Sequence, residues 1–103
     1  MKFYLNNNGI VDAYRHPDED IIFSFLYGDI QCSEVCAEFF ICKCKNSIEK
    51  NDYVWSGTGN SYTVTIKNKE VELFNEYTEE EKRYDVTCFL DYIISWNEFI
   101  KTL

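Results

Sequence analysis

Five cysteines and one histidine are the side chains best suited to covalent or metal chemistry in this 103-residue chain. Cys32 and Cys36 stand four residues apart, close enough to share one side of a helix, and Cys42 and Cys44 follow. Structural zinc requires four converging ligands, commonly from paired knuckles. Thiols strung along one helix point in several directions instead, so the expectation is that they pack as small apolar side chains. Cys88 reads the same way, and no metal site or other cofactor is expected. A nucleophilic thiol or hydroxyl also needs a base to activate it. His16 is the only histidine and sits beside Pro17 in a turn, so no catalytic residue is assigned and the chain is expected not to be an enzyme. Gly57-Thr58-Gly59 lacks the lysine and the following helix of a phosphate-cradling loop and reads as a turn.

The carboxylates form the other conspicuous group. Asp18, Glu19 and Asp20 make one cluster and Glu79, Glu80 and Glu81 a second, while Glu70, Glu72 and Glu76 lie on or beside one strand. Strand alternation puts Glu70 and Glu72 on the face opposite Val71 and Leu73. Grouped carboxylates repel one another, a cost that a basic partner offsets. Tyr53, Tyr77 or Tyr84 would then supply anchoring area at small entropy loss. The partner-binding set is therefore Asp18, Glu19, Asp20, Glu70, Glu72, Glu76, Tyr77, Glu79, Glu80, Glu81 and Tyr84. Overall there are 10 Lys and Arg against 18 Asp and Glu, a net charge of -8. That surplus repels phosphate backbones and anionic lipid, so neither direct nucleic-acid binding nor membrane binding is expected. It steers a basic protein inward. An acidic surface also serves plain solubility, which is the competing account of each carboxylate.

Hydrophobic content of 46%, with 17% aromatic, suffices for one core, and the length leaves no room for a second. Lys2 to Asn6 and Gly9 to Tyr14 read as a hairpin about Asn6-Asn7-Asn8-Gly9. Ile21 to Tyr27 suits a third, buried strand, with a short helix as the alternative. From Ser33, a plausible N-cap, Val35, Cys36, Phe39, Phe40 and Cys44 recur at helical steps, and the helix fades between Asn46 and Asn51. Tyr53 to Trp55, Ser61 to Lys67 and Glu70 to Asn75 read as three strands, joined through Gly57 to Asn60 and by a tight Asn68-Lys69 turn. The charged stretch Thr78 to Arg83 leads to a last helix capped at Thr87, with Phe89, Ile93, Trp96 and Ile100 on one face. Short connections require antiparallel pairing. The expected fold is one α+β domain spanning residues 1–103, a single antiparallel sheet of about five to six strands packed against two helices.

Residues Val54 to Val64, with their Trp-x-Gly-x-Gly-x-x-Tyr hairpin, Val71 to Leu73, and the closing Phe89-Leu90 and Trp96-Asn97-Glu98-Phe99 resemble a pattern of small bacterial proteins. The stretch from about 53 to 100 is similar to immunity proteins of contact-dependent growth inhibition and related polymorphic toxin systems, and to the YacL-like group. The resemblance implies a protein that binds and neutralises a cognate toxin domain, a basic nuclease such as an RNase or tRNase, by covering its active-site cleft with an acidic surface. It carries over no binding residues. A non-enzymatic adaptor or regulator of unknown ligand is the alternative. An odd number of cysteines and a polar Asn run near the start favour reduced thiols and a cytoplasmic location, as a monomer or weak dimer.

Overall fold

The computed structural model describes all 103 residues. Strands β1 (Lys2–Leu5) and β2 (Val11–Tyr14) form the expected hairpin, with Phe3 opposite Ala13. Its turn is held by the Asn6 side chain, whose carboxamide oxygen accepts from the amides of Asn8 (2.8 Å) and Ile10 (3.0 Å). The hairpin packs inward through Phe3, whose ring meets Trp96 edge-on at 5.1 Å.

The segment expected first as a third strand is helical instead. A 3-10 turn, Pro17–Glu19, leads into α1 (Asp20–Phe25), which widens into a π turn over Leu26–Ile30. A short run that is apolar but for Ser24 has too little periodicity to separate strand from helix. What decides it is the start signal upstream: Pro17 in the first turn, acids at the positive end of the dipole, and the Glu19 carboxylate accepting from the His16 amide at 3.0 Å. Ile22, Phe25 and Leu26 then fall on one buried stripe.

Helix α2 (Glu34–Glu49) begins where expected, with Ser33 Oγ accepting from the Cys36 amide. Its buried face is rotated from the one anticipated: Ala37, Cys44 and Ser47 are buried, whereas Val35 is 81% and Phe39 44% exposed. Ala37 and Ser47 are small enough for α2 to lie against the last helix, α3 (Val86–Ile100). The aromatic side chains turn to the flank.

Strands β3 (Val54–Thr58), β4 (Tyr62–Lys67), β5 (Glu70–Asn75) and β6 (Glu81–Asp85) form an antiparallel meander in that order. The fold is α+β with six antiparallel strands, divided between this sheet and the hairpin rather than joined in one. The Asn68-Lys69 turn has both residues at positive φ (54° and 62°), the geometry a two-residue hairpin loop requires. Gly57 lies inside β3, not in the turn after it. The Trp55 ring crosses above Gly57, where an added Cβ would approach to 2.7 Å. β6 occupies part of the charged stretch expected to be a leader to the last helix, and Asp85 caps α3 in place of Thr87, accepting from the Thr87 amide at 2.8 Å.

Helices and sheet enclose one core built around Trp96, Phe25 and Phe89, with Val64, Ile66, Val71 and Leu73 from the inner sheet face. The anticipated stripe of α3, Phe89, Ile93, Trp96 and Ile100, is buried along its length.

Candidate partner-binding surface

The register aligns three rows of side chains across the outer sheet face. Val54, Lys67, Glu70 and Asp85 form the first, Ser56, Thr65, Glu72 and Arg83 the second, and Thr58, Thr63, Phe74 and Glu81 the third. Glu70 and Glu72 do share the face opposite Val71 and Leu73. The β3 positions are all uncharged and the β6 positions all charged, with Lys67 on β4 and Glu70 and Glu72 on β5 between them and Phe74 the apolar member of the third row. Glu72 is not free: Arg83 donates to it at 3.1 Å. Glu76 is bonded by the Thr63 hydroxyl.

The link between β5 and β6 is an ordered turn. The Asn75 carboxamide oxygen accepts from the amides of Tyr77 (2.9 Å) and Thr78 (3.0 Å), and the Asn75 and Glu79 amides donate to Glu80 and Asn75 carbonyls, both at 2.8 Å. This pins Tyr77 outward, 78% exposed, between Glu76 and the exposed Glu79, Glu80 and Glu81. An aromatic ring held clear of the core among carboxylates combines an apolar anchor with a negative rim.

The cluster Asp18, Glu19 and Asp20 separates into different roles. Asp18 is exposed, and its carbonyl accepts from Lys82 Nζ at 2.6 Å, which ties the 3-10 turn to β6 and brings this cluster beside the second one. Asp20 is exposed and accepts from Arg15 Nε at 2.8 Å. Glu19 faces inward, where Tyr92 donates its hydroxyl at 2.7 Å. Burial pushes the Glu19 carboxyl up, but the bonds from Tyr92 and the His16 amide outweigh it and leave the group below the usual carboxylate range. Glu19 is thus an internal brace, contrary to its assignment as a partner contact.

Tyr84 is corrected in the same way. Residue parity puts it on the inner face of β6, against Phe89 and Tyr92, with a buried hydroxyl that has no partner. Burial drives its phenol pKa upward. It is unable to meet a partner on the outer face. Tyr53, the other aromatic considered, is half-buried against the core.

Two features of this region were not read from the sequence. Arg83 and Phe74 stand among the outer-face acids, and recognising the alternation Glu81, Arg83, Asp85 as a strand would have found them. Asp29 joins the two halves of the chain, accepting from the amides of Ser61 (3.1 Å) and Tyr62 (3.0 Å); no local pattern signals a contact across that separation.

The thiols do not assemble. No three His, Cys, Asp or Glu side chains converge as a metal-binding group. Cys32, Cys42 and Cys88 are exposed and Cys44 is buried, its thiol pushed up to about 12 by that burial. No helix is long and apolar enough to cross a membrane. No family model matches the chain, and no curated protein or solved structure does so either.

Proposed function

We propose that this protein works by capture, as an immunity-type inhibitor that binds a cognate toxin domain in the bacterial cytoplasm and covers a basic nuclease cleft with acidic side chains. The observation that carries the reading is the β5–β6 turn, whose ordered backbone presents an exposed Tyr77 in the same few residues as Glu76, Glu79, Glu80 and Glu81. Asp18 and Asp20, held next to β6 through Lys82, extend the same negative region. A nuclease cleft lined by Lys and Arg to hold phosphates meets such a surface with complementary potential, and the tyrosine adds desolvated area at small entropy cost. Glu70 lies at the opposite end of β5, beside the Asn68-Lys69 turn and across from Asp85, so on this reading it stands outside the group around Tyr77.

Co-expression with the toxin encoded beside this chain tests the reading. A stable complex that suppresses the toxin's nuclease activity is expected. Tyr77→Ala should weaken it by about tenfold or more, chiefly through faster dissociation. Replacing Glu79, Glu80 and Glu81 by lysine should slow association while leaving the melting temperature little changed. A complex that forms equally well with both variants would overturn the assignment of this surface. Failure to bind or inhibit any neighbouring toxin would overturn the function.

A further inference from the structure

A groove of about 280 Å³ lies between α2 and the β3 edge of the main sheet, with Phe39 and Phe40 on one bank and Trp55, Gly57 and Thr58 on the other. Phe39 is exposed and meets the Trp55 ring edge-on at 5.5 Å, so the aromatic wall continues onto the surface. The β3 bank has a free main chain. Hydrogen bonds from the Gly59 amide to the Tyr62 carbonyl and from the Glu76 amide to the Ser61 carbonyl set the phase of the ladder. By antiparallel alternation, Trp55 and Gly57 direct their amides and carbonyls at β4. Val54, Ser56 and Thr58 therefore direct theirs away from the sheet, where no group in the molecule pairs with them. No charged side chain on β3 discourages the addition of another strand. One cation stands at the groove: Lys43 Nζ lies 4.9 Å from the centre of the Phe39 ring and 5.5 Å from that of Trp55, and no carboxylate pairs with it. Asp29, the one acid lining the cavity, is engaged by the Ser61 and Tyr62 amides at the Gly59 end.

We propose that this groove takes an extended segment of a partner protein, which adds to β3 as a further strand, sets a large apolar side chain into the cavity and places a carboxylate beside Lys43. In such a mode the main chain supplies affinity and the pocket for alternate side chains supplies selection. The register follows from the pleat. Trp55 and Gly57 face inward with their β4 partners, the buried Ile66 and Val64, and residues directly opposite each other in a ladder share a face. The partner residue opposite Gly57 therefore turns in at the cavity and packs against the Trp55 ring that crosses Gly57. The one opposite Trp55 turns in beside Lys43. The recognised pattern is thus a large apolar residue and an Asp or Glu separated by a single residue.

The chemistry of the groove selects this occupant over others. A second copy pairing here would offer Val54 to Thr58, a segment with no carboxylate to answer Lys43. A basic segment would set its own charge against that ammonium. The net charge of -8 slows the approach of any acidic segment, whereas Lys43 acts at contact, inside the ~8 Å over which salt leaves charges unscreened. The groove shares no residue with the Tyr77 turn, so it neither depends on the functional proposal nor falls with it.

The probe is a synthetic end-capped heptapeptide, Thr-Glu-Val-Leu-Val-Glu-Thr, whose central Leu has a Glu two residues to either side and so serves both strand directions. Titrated into isotope-labelled protein and followed by NMR, it should shift the Val54, Ser56 and Thr58 amides together and protect them from hydrogen exchange, while the Tyr77 amide stays unmoved. Replacing the central Leu by Ala, or both Glu by Lys, should weaken binding about tenfold or more. Lys43→Glu should reverse the preference and favour the lysine peptide. Ser56→Pro removes an outward amide and leaves the β4 ladder intact, so it should abolish binding in a protein that remains folded by circular dichroism. Phe39→Ala, at an exposed position, gives a second reading of the same loss. The absence of any β3 shift with the glutamate peptide at millimolar concentration would overturn the proposal. So would equal binding of the glutamate and lysine peptides, or binding indifferent to both Phe39→Ala and a folded Ser56→Pro. Self-association that protects the β3 amides and is broken by Ser56→Pro would give the edge to a second copy and overturn it as well.

Discussion

Glu19 and Asp29 are half-buried carboxylates with opposite responses to pH. Glu19 is held below the ordinary range by Tyr92 and the His16 amide despite its burial. Its stabilisation is present above the unfolded-state pKa and is lost as pH falls through the lower folded value. Asp29 is pushed up by burial, which outweighs the bonds from Tyr62 and Ser61. Its favourable state is the protonated one, so its contribution is full below the unfolded-state pKa and declines as pH rises through the folded one. Glu19→Gln should accordingly flatten the acid limb of a stability-pH curve measured by urea unfolding. Asp29→Asn, which keeps an acceptor without the charge, should lose less stability at neutral pH than Asp29→Ala. The alanine leaves two amides without their acceptor and should cost about 2 kcal/mol. Thiol reactivity divides along the same lines of burial. Brief alkylation of the native protein should modify Cys32, Cys42 and Cys88 and spare Cys44 until the chain unfolds, as mass spectrometry of digested protein would show. Neither inward carboxylate was legible in the sequence. Glu19 sits in an acidic triplet that reads as solvated, and its partner Tyr92 lies far along the chain.

At the level of elements, signals that act within a few residues were legible and those that depend on distant packing were not. Asn6 with Gly9, Asn68-Lys69 and the Ser33 cap each act locally, and each occurs where the sequence puts it. The strands β4 and β5 follow from strict alternation. α1 escaped because its run, apolar but for Ser24, has too little periodicity to separate helix from strand, and β6 because an edge strand in a charged stretch looks like a loop until β5 is there to pair with it. The rotation of α2 had the same origin, since Ala37 and Ser47 are favoured only once α3 is close by. Two substitutions probe the ends of α2. Ser33→Ala removes the acceptor for the Cys36 amide and should cost about 1 kcal/mol. Lys69→Met removes the ammonium that donates to the Ser47 and Ile48 carbonyls, at 2.8 and 3.0 Å in the helix's last turn, and should cost roughly 1 kcal/mol. The same positive-φ position limits what Lys69→Gly would lose, because glycine relieves the turn while deleting that cap. Melting curves of the three variants would separate cap from turn.

Across the whole molecule, charge is unevenly spread: residues 43–69 carry five lysines against Glu49 and Asp52, whereas β5 and the turn after it gather Glu70, Glu72, Glu76, Glu79 and Glu80. Capture of a basic toxin through the β5–β6 region should slow markedly as ionic strength rises, because steering between unlike charges is screened. Stopped-flow association rates measured over a salt series would show the slowing. The overall charge was plain from composition, and so was the expectation of a basic partner. Its placement across the sheet required the strand order, because β3 and β6 reach opposite edges only once the meander is known.

The bonds from Asp29 to the Ser61 and Tyr62 amides couple the π turn to the first residues of β4, 32 positions away. The meander can assemble from neighbouring hairpins, whereas this clasp closes only when the leading half of the chain has settled on it. Those two amides are therefore built-in reporters. In a hydrogen-exchange experiment their protection should register docking of the front half separately from formation of the sheet, and in Asp29→Ala they should exchange early while the Val64 and Ile66 amides stay slow.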